Sequence, residues 1–299
     1  MKNSRLAYFG ILLGFIVAMS SCKKDQGSKF TSMDEFLKTV GPQKQTFKIQ
    51  SATGGTFTTA KGWKFTFNSP NLFYYKDNFT QYNGEVTVEI IEMKTKADII
   101  FSNTTTADMS GKPLKSGGMF NINLKTSSGE PLNYWDFVNV FIPDANPDPQ
   151  MTGYIGIDSS VVAWEPVDSS VIVNALYQGT NTGYDISFMG YLNWVNCDAP
   201  ITDSYCQMTF NLTNLAPDGA HTVILIKNLN TCVQLYLNNN STSYLYMPTN
   251  QEALFVAYMI KDSQLYAITK QFNVNANTNY ELTFEPILID DLKNIIAAF

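Results

Sequence analysis

Histidine is almost missing from this chain: His221 is the only one among 299 residues. A Ser/His/Asp or Cys/His mechanism would have to pass through that single residue. It follows Asp218, Gly219 and Ala220, the company of a turn before a strand. There is no Gly-x-Ser-x-Gly elbow, and a zinc site built from several histidines is excluded. Charge is scarce too. Charged residues make up 15% of the chain, whereas typical soluble proteins carry roughly 25%. Outside the N-terminal stretch and the Lys23–Lys24 pair there is no basic cluster, so a nucleic-acid partner is not expected. The phosphate loop, the dinucleotide fingerprint and the metalloprotease helix are all absent, and no cofactor is expected. No repeat of solenoid period occurs.

What is present is apolar and aromatic. Hydrophobic residues make up 44% and aromatics 13%, enough for a sizeable core and too much for a disordered chain. The polar surface must come from Asn, Thr, Ser and Gln rather than from charge.

The one long apolar run, from Leu6 to Val17, follows Lys2 and Arg5 and precedes Ala18, Met19, Ser20, Ser21 and Cys22. A run this short suits a signal peptide, since a spanning helix needs about 20 apolar residues. Small residues just before a cysteine are what lipoprotein signal peptidase admits. Residues 1–21 therefore read as a lipoprotein signal peptide, with lipid carried on Cys22, and several acyl chains give stable anchoring. Lys23, rather than Asp, follows Cys22, which points away from inner-membrane retention and toward the outer membrane. The whole chain carries −6, and the leader holds two of its positive charges and no acid, so the mature chain stands at −8. That acidity leaves the lipid itself as the contact with an anionic membrane.

Residues 22–30 read as a flexible tether. Ser32 and Glu35 have capping-box spacing, with Phe36, Leu37 and Val40 behind and Gly41–Pro42 as a stop, which predicts a short helix. The period then changes to two, predicting strands over 46–50, 55–59, 63–67, 85–93, 98–102 and 119–125. Asn83–Gly84 signals a hairpin. Pro143, Pro147 and Pro149 mark 144–150 as a linker between an N-terminal module at 31–143 and a C-terminal one at 151–299. Strands are expected in the latter near 161–164, 171–177, 185–194, 207–213, 222–227, 232–237, 254–260, 265–274 and 279–285. A helical stripe of Leu288, Leu292, Ile295, Ile296 and Phe299 closes the chain. The expected architecture is all-β, with two antiparallel β-sandwich-like modules and a helix at each end.

Gly54–Gly55–Thr56, the run from Glu85 to Ile90, Gly111–Lys112–Pro113–Leu114 and Ser116–Gly117–Gly118–Met119–Phe120 resemble a β-sandwich module of Bacteroidetes lipoproteins. That module is distantly similar to the domain shared by zona-occludens and netrin-receptor proteins. The stretch from Tyr191 to Asp198 resembles the Trp-Asn-Cys-Asp signature of the same lipoproteins, carried here by Trp194, Asn196, Cys197 and Asp198. The start Cys22–Lys23–Lys24–Asp25 is similar to theirs as well. The resemblance covers most of 30–296 and departs from the family pattern between Gly62 and Phe73. It implies an envelope lipoprotein and brings no catalytic residues.

Other constellations are weaker. Asp144, Asn146 and Asp148 copy the first calcium-loop positions, but Pro149 follows and no Glu completes the loop, so no metal site is expected. After lipidation Cys197, Cys206 and Cys232 remain. A Cys197–Cys206 disulfide would contribute roughly 3 kcal/mol by loop entropy, although Cys232 could replace either partner. Trp63, Trp135, Trp164 and Trp194 are candidates either for core or for a carbohydrate platform. Tyr244 and Tyr246, beside Asn238, Asn239 and Asn240, are the candidate exposed ligand binders. Glu89, Glu92, Asp198 and Asp203 could in principle supply a carboxylate pair.

The expected function is binding or structure without catalysis, toward a glycan, an envelope protein or a neighbouring cell. A secreted carboxylate-dependent hydrolase acting on polysaccharide is the alternative. Replacing Cys22 by Ala is expected to leave the protein soluble. Continued sedimentation with membranes would overturn the anchor assignment.

Overall fold

Period-two alternation dominates the chain, and the fold it produces is all-β. The computed structural model describes residues 29–157, 162–167, 169–178, 181–214, 219–275 and 278–299. The stretch read as a signal peptide, Cys22, and the segment read as a tether up to residue 28 lie outside the described residues. In chain order the elements begin with α1 (Met33–Val40), β1 (Gln45–Gln50), β2 (Gly55–Thr58), β3 (Lys64–Phe67), β4 (Phe73–Tyr75), β5 (Glu85–Met93), α2 (Lys96–Phe101) and β6 (Thr104–Asp108). Next are β7 (Leu114–Thr126), β8 (Pro131–Tyr134), β9 (Phe137–Pro143), β10 (Thr152–Ile157), β11 (Val162–Pro166), β12 (Val171–Gln178), β13 (Asn181–Met189) and β14 (Trp194–Pro200). The last third holds β15 (Tyr205–Thr213), β16 (His221–Ile226), β17 (Thr231–Leu235), β18 (Ser241–Pro248), β19 (Glu252–Lys261), β20 (Gln264–Asn273), β21 (Thr278–Thr283), β22 (Glu285–Pro286) and α3 (Ile289–Ala298).

Two sandwich-like modules result. In the first, a large sheet with the path β1-β5-β7-β14-β10-β11-β6 also carries β4 and β8, and it faces a second sheet, β12-β13-β9-β3-β2. Their inner faces enclose Trp63, Phe65, Phe67, Phe120, Val140 and Phe188. In the other, the sheet β18-β15-β21 faces β17-β16-β19-β20-β22 across Phe210, Phe255 and Ile268. Pairing is antiparallel except between β6 and β11 and between β15 and β21.

A third apolar layer joins the modules. Met93, Leu114, Met119 and Trp164 point out of the first sandwich and meet Val223, Leu225, Cys232 and Tyr258 from the second. Phe36 of α1, Ile100 and Phe101 of α2, and Leu292 and Ile296 of α3 complete the layer. Strands β16 and β19 are consequently buried on both faces, which is why their sequences run apolar without alternation. The edge strands β6 and β17 are stitched by side chains. Thr106 Oγ1 accepts from Cys232 N at 2.7 Å, and Thr105 Oγ1 accepts from Gln234 N at 3.1 Å. Both hydroxyls donate to Cys232 O at 3.2 Å. Two exposed edges are thereby closed against further strand addition.

Four sequence expectations are corrected. The 144–150 segment does not separate modules: β10 and β14, which follow it, pair within the large sheet of the first sandwich, and β13 pairs with β9. The passage between modules lies instead between β14 and β15. Proline marks where a strand cannot run but carries no information about which strands pair later. Residues 98–102 belong to α2 and its C-cap rather than to a strand, because the Thr95 hydroxyl and the Asp98 carboxylate form a complete capping box. The single strand expected over 185–194 is two strands in different sheets, broken at Gly190, where a Cβ would stand 2.6 Å from the Tyr134 ring. Asn83–Gly84 does not close a hairpin, since β5 pairs with β1 and β7.

The terminal helices form as expected. Ser32 caps α1 by accepting from Glu35 N, and Leu292 and Ile296 seat α3. Leu288, placed on the buried stripe by spacing, is exposed at the N-cap of α3.

Thr106→Val keeps the shape at the module seam but leaves the buried Cys232 N–H without its acceptor. A loss of about 1–3 kcal/mol is expected in denaturant unfolding. Unchanged stability would mean that the seam does not depend on the hydroxyl.

Candidate functional site

Of the four tryptophans, Trp63 and Trp164 are core residues and Trp194 is half-buried, while Trp135 is 43% exposed. Trp135 lies in the turn from β8 to β9, and Tyr191 lies in the turn from β13 to β14. Both turns cross between the two sheets of the first sandwich. They are tied together: Gly190 N donates to Asp136 O at 2.9 Å, and Tyr134 N donates to Gly190 O at 3.3 Å. Below them Tyr134 is buried, its hydroxyl accepting from Ser69 N at 2.8 Å and donating to Ser69 O at 3.1 Å. Ser69 Oγ also donates to Asp136 Oδ2, and Trp135 N donates to Leu72 O at 2.9 Å. The backbone of Trp135 and of both its neighbours is therefore tied by hydrogen bonds.

Phe79 joins the pair from the connection between β4 and β5. Its ring centroid lies 6.0 Å from that of Trp135, and Tyr191 lies 5.7 Å from Trp135 on the other side. The planes are tilted by 48° and 45°, so the three rings form a turned strip rather than a stack. Phe79 is 63% exposed and Tyr191 40% exposed. Phe79 also has a φ of +57°, a left-handed conformation uncommon for a bulky side chain. It is held there by Phe79 N donating to Tyr75 O, by Tyr75 N donating to Thr80 O, and by the Asn78 side chain accepting from Thr80 N. A strained backbone that presents an exposed aromatic is a feature retained at binding sites. Lys76, Asp77 and Asn78 border it and are exposed.

Spacing did not single out Phe79 or Tyr191. The available signal was an aromatic directly after the turn-forming pair Asp77–Asn78, and another directly after Gly190.

The other candidates fall elsewhere. Tyr244 is buried, its hydroxyl donating to Gly111 O at 2.9 Å across the modules, and Tyr246 is half-buried against Tyr205 and Tyr244. The exposed-binder assignment of Tyr244 is thus corrected: β18 pairs with β15 and turns that side chain inward. The three described cysteines are free thiols. Cys197 lies in the core of the first sandwich, Cys206 lies at the periphery of the second core, and Cys232 lies in the seam. The expected Cys197–Cys206 bridge is absent, since β14 and β15 belong to different modules. Burial pushes all three thiols up in pKa, so none is poised as a nucleophile. His221 stacks on Tyr258 at 5.5 Å, and burial lowers its pKa against the opposing pull of Asp34.

The calcium-like acids are engaged by lysines, Asp144 by Lys94 at 3.0 Å and Asp148 by Lys115 at 2.8 Å. Among the described residues no group of three or more His, Cys, Asp or Glu could hold a metal. The four carboxylates do not converge. Glu89 binds Lys44 and Lys125, Glu92 is buried beneath Thr59 and Gln45, and Asp203 accepts from Gln251 in the second module. Two cavities, of about 620 and 580 Å³, contain none of the four. The first has Lys29, Asp262, Asp290 and Lys293 around Phe30 and Leu265; the second lies beside α2 and α3 and includes Lys94, Lys96 and Asp144.

Asp198 is fully buried in β14. Its Oδ2 accepts from Asn196 Nδ2 at 2.6 Å, and its Oδ1 has no partner. Burial raises its pKa from 3.8 to about 8, with Ser116 and Asn196 pulling it partway back.

Among the described residues no helix is long and apolar enough to cross a membrane. No known protein family's profile matches the chain, and no curated protein matches it.

The raised Asp198 carboxyl makes stability pH-dependent. The folded state holds a proton that the unfolded chain loses near 3.8. Its stabilising contribution is therefore complete below that value and is lost as pH rises to about 8. The slope is at most about 1.4 kcal/mol per pH unit. Asp198→Asn removes the dependence, so the variant is expected to gain on the wild type across that window and to run parallel above it. Parallel denaturation curves throughout the window would refute the assignment.

Proposed function

We propose that this chain is the precursor of an outer-membrane lipoprotein of the Bacteroidetes type, anchored by lipid on Cys22, that acts by binding rather than catalysis. The binding face is the aromatic apex formed by Phe79, Trp135 and Tyr191. The observation that carries this reading is the apex itself: three exposed rings in contact, on turns locked by backbone bonds, with one ring held in a strained conformation. Exposed aromatic patches of this kind mark recognition sites.

The described chain begins in the seam: Phe30 packs on Phe36 at 5.2 Å, within the layer shared with the second module. The hydrolase alternative is less well supported, because a glycosidase needs two carboxyl groups facing one cleft, and the four acids singled out by the sequence occupy separate places.

The test uses cells that produce the protein with a photo-reactive phenylalanine analogue at Tyr191. Illumination is expected to yield a crosslinked species from the membrane fraction, and Trp135→Ala is expected to abolish it while leaving the protein in that fraction. No crosslink, or one indifferent to Trp135, would sink the binding face. Loss of membrane association in neither the wild type nor the Cys22→Ala form would sink the anchor.

A further inference from the structure

We propose that the partner of the aromatic apex is an uncharged polysaccharide strand, gripped by the faces of Phe79, Trp135 and Tyr191 on consecutive sugar rings. The inference rests on the binding reading above and specifies its ligand.

Three properties of the apex select this chemistry. The first is size. At exposures of 63%, 43% and 40%, and with side-chain areas of about 150–250 Å² each, the three rings offer about 300 Å² in total. A stable protein partner covers about 800 Å² on each side around a buried apolar centre. No further exposed large hydrophobic residue belongs to these three turns, so the patch matches a few sugar rings better than a folded surface. The second is electronic. An aromatic face is negative and attracts weakly positive C–H groups, which a pyranose presents on its flat side. Rings 6.0 and 5.7 Å apart and tilted by 48° and 45° match a chain whose successive units turn, and would not fit one flat ligand. The third is charge. Lys76 and Asp77 border the strip with opposite signs, Asp136 lies beneath it, and the whole chain is acidic. Long-range repulsion therefore disfavours polyanions. The exposed Asn78 is suited to hydroxyl groups, since an amide both donates and accepts.

The hydrogen-bonded backbone beneath the rings also limits the ordering cost of binding a flexible chain. Trp135 is anchored through Leu72 and through the Asp136–Gly190 contact, and Phe79 through Tyr75. Little of the site has to be assembled when the strand arrives.

The experiment titrates the full chain in detergent with cellohexaose, chitohexaose, mannohexaose and laminarihexaose, and with polygalacturonate as the anionic control. Tryptophan emission and calorimetry are recorded together. At least one neutral hexasaccharide is expected to bind and shift the emission of Trp135. The matching disaccharide should bind about tenfold more weakly or worse, and polygalacturonate should not bind. Trp135→Ala should reduce affinity by about tenfold or more, as expected for a central aromatic anchor. Trp135→Phe should retain part of it, which separates a ring contact from a folding defect. Failure of all four neutral oligosaccharides, equal binding of polygalacturonate, or binding indifferent to Trp135 would overturn the proposal. If the Tyr191 crosslink then proves to be a protein adduct dependent on Trp135, the glycan assignment fails while the binding face survives. If there is no Trp135-dependent crosslink either, both fail.

Discussion

The apolar seam between the two sandwiches is the constraint on which the rest of the structure depends. Met93, Leu114, Met119 and Trp164 from one side and Val223, Leu225, Cys232 and Tyr258 from the other form a shared layer that neither module could leave exposed. All three helices are committed to it. The seam also explains the hydroxyls at its margin. Thr105 and Thr106 are buried polar residues placed where two sheet edges meet, and each takes an N–H of β17 that would otherwise be unpaired. Tyr244, whose phenol reaches the Gly111 carbonyl, and Asn230, whose amide reaches the Lys94 and Ser116 carbonyls, extend the same arrangement of polar bonds around an apolar centre.

Three exposed aromatics of the first module, Phe79, Trp135 and Tyr191, meet where its strands are joined by turns. There the chain must cross from one sheet to the other, in the β8–β9 and β13–β14 turns, and must close the connection between β4 and β5. Crossing turns leave side chains without a facing sheet, so rings placed on them stay in solvent. Their bases are nonetheless rigid, since Tyr134, Ser69 and Asp136 lock the turns from below. Asp198 is buried in β14, an interior strand of the large sheet, and its burial disfavours the charge that the residue type would normally carry.

Much of the architecture was legible in the residues. The bounds of β5 follow from the sequence, because Val86, Val88 and Ile90 alternate with polar neighbours along one half-buried face. The caps and stripes of the terminal helices are local signals of the same kind. Where pattern and structure differ, the cause is shared. The 98–102 segment has the apolar run of a short strand, and only the Thr95–Asp98 capping box made it a helix. The 185–194 segment is continuous in β-propensity, and its break at Gly190 answers to the Tyr134 ring, a neighbour far away in sequence. Tyr244 follows a polar loop, but its direction is set by pairing with β15. In each case local pattern was correct about composition and silent about the partner.

By itself, the sequence determined the all-β class, a helix near each end, and the scarcity of histidine. These depend on composition and on periods of two and 3.6 residues, which are local properties of the chain. Only the tertiary structure decided that 144–150 lies inside a sandwich, that Cys197 and Cys206 belong to different modules, and that Trp135, of four tryptophans, meets Phe79 and Tyr191 in solvent. Those outcomes depend on which strands pair across tens of residues. Pairing of that kind is set by complementary burial over the whole chain, and no short stretch of residues encodes it.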